Sequence, residues 1–589
     1  MGTQALVDVA MGRKSADLIV RGGQWVCVQS GEIIPDSDVA VCEGRVAYVG
    51  PDASHTIGER TRVIEANGQF ICPGLLDGHM HVESGMLTVT EFVRAVLPHG
   101  TTGMFIDPHE IANVFGLRGV RMMVDEAAGQ PIHVFVQMPS CVPSAPGLET
   151  PGATIGVPEV AEAMTWPGII GLGEMMNFPG VINSDEKMHA EMAVTNQAGK
   201  IIGGHYASPD LGLPFHGYAA GGPQDDHEST TLEGAVARIR QGMRVMMRYG
   251  SGWLDVAAQV KAVTELGLDP RYFILCCDDI HSETLAREGH MDRAVRHAIA
   301  EGLDPMLAIQ MATINTADYF GVSRDMGLIA PGRYADIVLV NDLAAFDVQT
   351  VIGRGKVLVE NGSLVVDAHP VKRPDWVYHS VHLERPLTMV DFRLEAGKPD
   401  SVYTANVIGV IENQAPTQHL KVDVKVKNGE IKANMEQDLA KIALIDRHHR
   451  SGRISMALVN GFGFNAPCAV ASTVSHDCHQ MIVVGTDEVN MAAAVNYLAS
   501  CGGGQVVYKQ GEVVGKVELP IGGLMSDKPA DAVAREAASV LEGFKACGCN
   551  LNNPNMQLSL LALVVIPDLR ISDLGLVDVN TFDFIPVLE

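Results

Sequence analysis

The sequence predicts an α/β protein: a (β/α)8 barrel of the TIM type is inserted in a small β domain built from both flanks, and a C-terminal α+β domain follows. Three observations predict this arrangement. Apolar strands alternate with helical stretches over roughly 250 residues in the middle of the chain, which is the size and rhythm of such a barrel. Short β-rich segments lie on both sides of this part, and a further unit then mixes strands with helices.

The small β domain is predicted from short β-rich segments that glycine turns separate. They are 18–20, 39–41 and 46–49 before the barrel, and 335–340 and 356–362 after it. Short β-rich segments of the same kind occur again after the long middle section. We therefore expect one domain made of 1–69 and 331–375, with the barrel at 70–330 as an insertion.

The barrel is predicted from apolar strand candidates at 104–106, 133–136, 169–172, 201–202 and 273–275, and from helices at 232–240 and 292–300. Residues 70–76 are predicted to contribute one short strand buried on both faces. A doubly wound open sheet is the alternative. It is disfavoured because no glycine-rich nucleotide fingerprint follows an early strand.

A basic, proline-containing segment at 371–376 predicts a linker into the third unit, 380–589. That unit contains β segments at 457–459 and 480–484 and helical stretches at 488–498 and 531–541. We therefore expect an α+β domain at the C-terminus.

Composition excludes several classes of protein. With 589 residues and 47% hydrophobic content, the chain is too long for one compact domain. Its 43 Lys and Arg residues face 70 Asp and Glu, and the formal charge of −27 would repel a phosphate backbone, so no nucleic acid partner is expected. The start lacks the pattern of a secretory signal, and no run of about 18 apolar residues occurs, so we expect a cytoplasmic protein without membrane contact. The 11 scattered cysteines are expected to be reduced thiols without a catalytic role.

Two histidines at the end of an apolar run indicate a metal site. His79 and His81 are two residues apart, which places both imidazoles on one side of a strand tip. Two histidines at a loop edge with no ligand role are the alternative. What favours metal binding is a set of residues that follow other predicted strands, where a barrel assembles its active site: Glu174, His205, His227 and Asp278. Each alone could be a capping residue, but the set in this order is hard to obtain by chance.

In order and spacing these residues resemble the amidohydrolase superfamily. Its barrel carries H-x-H after strand one, Lys or Glu after strand four, single histidines after strands five and six, and Asp after strand eight. Residues 311–317 and 327–338 also look like that superfamily's last barrel helix and its return to the flanking sheet. The resemblance implies two divalent metal ions as cofactors. His79, His81 and Asp278 would hold the first, and Glu174 would bridge to a second held by His205 and His227.

A closer resemblance, to the adenine deaminase family, runs through nearly the whole chain. The motifs that carry it are 79–84, 107–114, 173–181, 226–228, 277–279 with His281, and 289–292 in the barrel, and 476–479, 483–487 and 523–527 in the third unit. The chain departs from the family pattern after His205, at 248–250, and at Ile280 and Ser282, near the expected substrate mouth. The resemblance implies hydrolysis of adenine to hypoxanthine and ammonia in purine salvage, by a homo-oligomer, with a dimer favoured.

The chemistry of deamination assigns roles to several carboxylates. Replacing an exocyclic amine by oxygen needs a nucleophilic water, which a metal ion supplies by lowering its pKa to about 7, and a carboxylate that moves the proton. Asp278 is expected to be that carboxylate. Glu83 and Asp279 are expected to hydrogen-bond ring nitrogens, with loop capping as their alternative role. His109 and Glu110 are further pocket candidates. Mixed nitrogen and oxygen ligands admit Fe, Mn or Zn, and we expect Mn or Fe in preference.

Two related arrangements do not fit the chain. Some hydrolases use a carbamylated lysine as the bridge, but Lys187 lies in a polar helical stretch and Lys200 precedes strand five, so Glu174 is the better candidate. The zinc deaminases of the cytidine type need H-x-E with P-C-x-x-C. Residues 81–83 fit the first half, but Cys468 has no partner cysteine at 471.

Other functions remain open at this point. A cyclic amide or imide hydrolase, or a deaminase of another aminopurine, could use the same barrel, and a catalytically inactive scaffold is the alternative from another class. The cluster at 476–479 is expected to be an interdomain hydrogen-bonding element; a second metal site and a contact with the barrel mouth are its alternatives.

Overall fold

The computed structural model describes residues 3–366, 371–396 and 401–589. Parts of the predicted domain ranges 1–69, 331–375 and 380–589 lie outside these residues. Within the described ranges no helix is both long and apolar enough to span a membrane. The eleven cysteines all lie in the described ranges and are free thiols, as expected.

A nine-stranded sheet joins both flanks of the barrel into one β domain, as predicted. Ile337–Val340 pairs antiparallel with Phe70–Pro73, which also pairs parallel with Leu18–Cys27. Helix Gln4–Ala10 packs on this sheet. The other strands are Glu32–Cys42, Arg45–Gly50, Arg62–Glu65, Val348–Gly353, Lys356–Glu360 and Ser363–Leu364.

The prediction of one strand over 70–76 is wrong. Phe70–Pro73 belongs to the flanking sheet, and Leu75–His81 is the first barrel strand. The chain changes sheets at Gly74: its N–H donates to Asp336 O (3.0 Å), whereas the next N–H donates to Gly100 O (2.9 Å). A Cβ at Gly74 would lie 2.1 Å from Thr102 Oγ1, so this crossing point has no room for a side chain.

Eight parallel strands form the barrel, which confirms the predicted fold class. They are Leu75–His81, Thr101–Ile106, His133–Met138, Ile169–Met175, Ile201–Gly204, Asp225–Asp226, Arg244–Arg248, and Phe273–Cys276 continued by Asp278–Asp279. Pairing of Asp278 with Met80 closes strand eight onto strand one. Between strands five and six, Gln224 N donates to Ile202 O at 2.9 Å.

Helices and loops cover the outside of the barrel, which is why all seven residues of Leu75–His81 are buried. The first barrel helix illustrates how the sequence starts a helix and buries one of its faces. Thr88 caps Val89–Val96 by accepting a hydrogen bond from Glu91 N, and Phe92 is among the residues that the helix buries. Truncating Phe92 to Ala would cost about 3–5 kcal/mol. The other barrel helices are His109–Phe115, Leu117–Ala128, Val157–Ala163, Phe178–Ile182, Glu186–Gln197, Leu213–Gly221, Leu232–Arg240, Val256–Gln259, Lys261–Thr264, Ser282–Arg287, Met291–Ala300, Pro305–Met311 and Ile314–Tyr319.

The C-terminal unit is an α+β domain, as predicted, and it packs against loops that follow barrel strands. Ser526 N donates to Met86 O (2.9 Å), and Thr150 N donates to Asp573 Oδ1 (3.0 Å). Its ten-stranded sheet contains Leu394–Glu395, Val402–Gly409, Gln418–Lys427, Glu430–Ile431, Leu439–Ile445, Ile454–Asn460, Cys468–Ser472, Met481–Gly485, Gly504–Lys509 and Glu512–Glu518. Helices Glu488–Cys501, Ala530–Ala546 and Pro554–Leu560 and strands Leu569–Ser572, Gly575–Asp578 and Asp583–Ile585 complete it.

Candidate metal centre

The six predicted metal ligands meet at the carboxyl ends of five barrel strands. His79 and His81 end strand one, Glu174 lies in strand four and Asp278 in the continuation of strand eight. His205 and His227 follow strands five and six directly. All six side chains are buried except that of His205, which is 21% exposed.

The donor atoms of this cluster are spaced as ligands of shared ions. His81 Nε2 lies 3.3 Å from Asp278 Oδ1 and 3.4 Å from Glu174 Oε1. A hydrogen bond would bring such atoms to about 2.7–3.2 Å, whereas two ligands about 2.0–2.2 Å from one tetrahedral ion lie about 3.4 Å apart. His79 Nε2 is buried and has no hydrogen-bond partner among the described residues. The residues therefore fit divalent cations.

The structure groups the ligands differently from the resemblance. The resemblance implies one ion held by His79, His81 and Asp278 and a second held by His205 and His227, with Glu174 as the bridge. His79 forms one compact group with His81 and Glu174 and another with His227 and Asp278, with all donor atoms of a group within 4.8 Å. The His79 and His227 rings stack with centroids 4.2 Å apart. His205 differs from the others, since its Nδ1 lies 2.5 Å from Glu174 Oε2 in a direct hydrogen bond.

Backbone contacts hold the ligands in place. His81 Nδ1 donates to Asp107 O at 2.7 Å, which leaves Nε2 free for a metal. The Asp107 carboxylate in turn accepts a hydrogen bond from Glu174 N at 2.9 Å. A Cβ at Gly173 would lie 2.1 Å from Asp107 Oδ2, so a glycine is required beside Glu174.

The charges of the site favour ionised carboxylates. Burial opposes this, but the charge of His205, its hydrogen bond and the close contacts of His109 and His227 hold the pKa of Glu174 well below its usual value. For Asp278, burial is likewise outweighed by His81, His227 and Arg248, and its pKa is also lowered. Burial, together with the charges of His227 and His81, keeps the pKa of His79 well below 6.5, so this imidazole is neutral and able to bind a cation.

Comparison with known proteins identifies the family. Residues 70–358 match the amidohydrolase family, and residues 414–583 match the adenine deaminase C-terminal domain. Adenine deaminase 3 of Rhizobium meliloti is 58% identical over 583 residues, 99% of this chain and 98% of that protein. An adenine deaminase of Moorella thermoacetica is 50% identical over 586 residues, 100% of this chain and 98% of that protein. The chain belongs to the adenine deaminase family.

A solved structure of an adenosine deaminase from Xanthomonas campestris with bound zinc has a TM-score of 0.44 at 15% identity, over 60% of this chain and 95% of that one. The membership, by contrast, rests on relatives that match from end to end. It confirms the class predicted from the sequence, a metal-dependent hydrolase of the amidohydrolase type.

Sequence reasoning missed the part that Arg248 takes in this member of the adenine deaminase family. The chain departs from the family pattern at 248–250, and the sequence pattern alone assigns no role to this arginine. Arg248 is 1% exposed; its Nη1 lies 3.1 Å from Asp278 Oδ2, and its Nε lies 2.7 Å from Asp255 Oδ2. It also donates to Glu228 Oε1. An arginine at the end of an apolar strand, with Asp255 seven residues later, is the signal that could have indicated it.

Asp278 is also distinctive in its backbone. It has a φ of 59°, in the left-handed region that few residues other than glycine and Asn or Asp adopt. Strand eight is interrupted at Cys277, where the N–H donates to Asp77 Oδ1 (3.1 Å). The same oxygen accepts from His79 N (3.3 Å), so Asp77 ties strand eight to strand one.

His109 and Glu110 lie closer to the ligands than expected. His109 Nδ1 is 3.0 Å from Glu174 Oε1, and its Nε2 is 3.7 Å from Asp477 Oδ1 of the C-terminal unit. Glu110 Oε2 is 3.7 Å from His81 Nδ1, and neither oxygen of Glu110 has a hydrogen-bond partner in the described parts of the chain. The 476–479 cluster thus reaches the barrel mouth.

Glu83 and Asp279 each make a contact of the loop-capping kind. Glu83 Oε1 accepts from Ile111 N (3.4 Å), and Asp279 accepts from the Ser84 hydroxyl. Glu83 Oε2, however, is buried with no partner among residues 3–366, 371–396 and 401–589. Burial and the charge of Glu110 raise the pKa of Glu83 to about 8, so its carboxyl is protonated at neutral pH and can donate.

Proposed function

We propose that this protein is an adenine deaminase that converts adenine and water to hypoxanthine and ammonia. The observation that carries the proposal is the cluster of six buried or half-buried ligands at metal-donor spacing, in a chain 58% identical to an adenine deaminase over 99% of its length. Two divalent ions would be held by His79, His81, Glu174, His205, His227 and Asp278, with Mn or Fe in preference to Zn. When bound, they supply a water molecule that ionises near neutral pH.

Asp278 is the residue we assign to proton transfer. Its carboxylate takes a proton from the water that attacks C6 of adenine, and then gives it to N6 as the C6–N6 bond breaks and ammonia leaves, while the second proton of the water ends on N1 of hypoxanthine. The oxygen of the water becomes O6 of hypoxanthine. Arg248 holds Oδ2 at 3.1 Å, while Oδ1 faces His81 at 3.3 Å. This anchoring keeps the carboxylate ionised and directed at the ligand cluster.

Glu83 and Asp279 are proposed to hydrogen-bond ring nitrogens of the substrate. Glu83 has one carboxyl oxygen engaged by the backbone and one buried oxygen without a partner among the described residues. A ring nitrogen that gains electron density during attack needs a donor, and a protonated carboxyl supplies one.

An ammonia-release assay over adenine, 2,6-diaminopurine, guanine, cytosine and a cyclic imide tests the function. We expect ammonia from adenine with the purine ring intact. Ring opening of the imide, with no ammonia from adenine, would indicate an amide hydrolase instead. Release from another aminopurine alone would assign a different base, and metal-loaded protein inactive on the whole panel would point to a scaffold.

A role in purine salvage, a cytoplasmic location and a homo-oligomer with the dimer favoured stay predictions. Sedimentation velocity on the metal-loaded protein would measure the oligomeric state.

A further inference from the structure

A narrow cavity lies between the barrel and the C-terminal unit, at the segments that follow strands one and eight. On the barrel side it is lined by Glu83, His281 and Ser282 among others, and on the C-terminal side Gln505 and Ser559 contribute to its wall. Glu83 is two residues from the ligand His81, and His281 is three residues from Asp278. The cavity therefore borders the segments that follow the candidate ligands of strands one and eight.

Four buried polar atoms of this cavity have no hydrogen-bond partner within the described ranges of the chain. They are Glu83 Oε2, Ser282 Oγ, Gln505 Oε1 and Ser559 Oγ. Buried polar groups in native proteins are nearly always hydrogen-bonded, so such atoms call for an explanation. Their collection around one cavity indicates that a polar ligand supplies the missing partners.

The four atoms come from two separate parts of the fold. Glu83 and Ser282 follow barrel strands one and eight, whereas Gln505 lies in strand Gly504–Lys509 and Ser559 in helix Pro554–Leu560. Ser559 is further fixed by its backbone, because its carbonyl accepts from His476 N at 3.2 Å. A ligand that satisfies all four would be held by both domains at once.

We propose that the C-terminal unit completes the substrate pocket, and that Gln505 and Ser559 recognise the edge of adenine opposite the reacting amine. This inference rests on the proposed function. With C6 at the metal centre, the N3 and N9 atoms of the ring point away from the barrel. Free adenine presents an acceptor at N3 beside a donor N–H at N9, and a glutamine carboxamide presents the complementary acceptor and donor. Gln505 Oε1 accepts from N9–H, and its amide N–H donates to N3.

This pairing selects the free base. A substituent on N9 removes the donor and places bulk against the carboxamide, so adenine binds and 9-substituted adenines are rejected. The C-terminal unit then acts in substrate recognition, while the barrel residues carry out the chemistry.

The test compares two substrates in wild type and in Gln505→Leu, which keeps the size of the side chain and removes its polar atoms. We expect kcat/KM for adenine to fall about 10- to 100-fold, mainly through KM, with both metal ions retained. For 9-methyladenine, which cannot make the N9–H contact, kcat/KM should change little. If 9-methyladenine is not turned over, its inhibition constant against adenine replaces kcat/KM.

Serine variants form a matched pair that keeps the test usable if Gln505→Leu folds poorly. Ser559→Ala should raise KM for adenine. Ser475→Ala should not, although the Ser475 hydroxyl is also buried without a partner in the described residues, because it lines a different small cavity with Glu149 and Asp573. Melting curves and metal content are measured on each preparation.

Equal losses on adenine and 9-methyladenine, or an unchanged kcat/KM in both Gln505→Leu and Ser559→Ala, would overturn the inference. Failure of the proposed function would appear separately, as a wild-type protein that releases no ammonia from adenine.

Discussion

Asp278→Asn is the substitution that tests the proposed mechanism most directly. Asparagine keeps the size of the side chain and an oxygen that can face Arg248, which lies 3.1 Å from Asp278 Oδ2. It removes the negative charge and the ability to accept a proton from water. Binding of adenine and the overall fold should therefore survive, while the chemical step should slow.

The size of the effect follows from the burial of the site. General acid–base catalysis by a positioned side chain contributes about 10²- to 10⁴-fold, or roughly 3–5 kcal/mol of barrier. The Asp278 side chain is only 6% exposed, so bulk water has poor access to replace it as the base. The wild-type carboxylate is ionised throughout the neutral range, because its pKa is held low by His81, His227 and Arg248 against the effect of burial. We therefore expect kcat to fall by at least 10².

The assay is steady-state ammonia release from adenine, with metal content measured by elemental analysis in the same preparation. Asp318→Asn makes the same chemical change at an exposed helix position and should alter kcat by less than about twofold. Partial loss of one ion is compatible with the reasoning, since an amide coordinates weakly. An Asp278→Asn variant with both ions and near-normal turnover would refute it, and Asp279 and His281 would be the next residues to test.

Three further predictions address the metals, the arginine and the fold. Enzyme stripped by a chelator should regain full activity only at two equivalents of metal per chain, and full recovery at one equivalent would contradict the bridging role of Glu174. Arg248→Met removes the guanidinium that faces Asp278, so the pKa of Asp278 should rise and the acid limb of the pH profile of kcat should move to higher pH. An unchanged acid limb would mean that Arg248 contributes only to packing. Burial raises the pKa of Glu191 to about 8 from 4.5, so the folded protein binds the proton more tightly than the unfolded chain, and stability falls as pH rises from about 4.5 to 8. Glu191→Gln should remove this decline, so Tm should exceed that of wild type at pH 8.5 by roughly 2 °C or more, and parallel melting profiles of the two proteins would contradict the assignment.

The barrel and the convergence of the six candidate ligands could be predicted because each signal is local. Five of the six candidate ligands follow or end an apolar run that forms a parallel strand, and the carboxyl ends of such strands converge in any barrel. His79, His81, Glu174, His205 and Asp278 were found in this way. His227 follows a strand of only two residues, both aspartates, so its position was indicated by the order of the superfamily rather than by strand periodicity.

What the sequence could not predict depends on contacts between distant segments. The apolar run 70–76 does not show that the chain changes sheets at Gly74. The change consists of new hydrogen-bond partners, and these partners lie in distant parts of the sequence. The role of Arg248 depends on Asp255 and Asp278 lying around one guanidinium. Gln505 is more than 200 residues from Asp278 along the chain, and no periodicity relates the two.

The C-terminal unit contributes to the charge around the candidate metal centre where it contacts the barrel. A site with many carboxylates is stable only where cations and donors balance them. Arg248 and the histidines provide part of that balance, and Glu110 still has both oxygens without a hydrogen-bond partner in the described residues. The C-terminal unit brings Asp477 to 3.7 Å from His109 and so adds another negative charge to the rim. Such a rim attracts divalent ions and repels nucleotides, whose phosphates carry negative charge, whereas it does not repel a neutral base. The negative charge of this rim would therefore exclude nucleotides, and the proposed contact of Gln505 would select the free base.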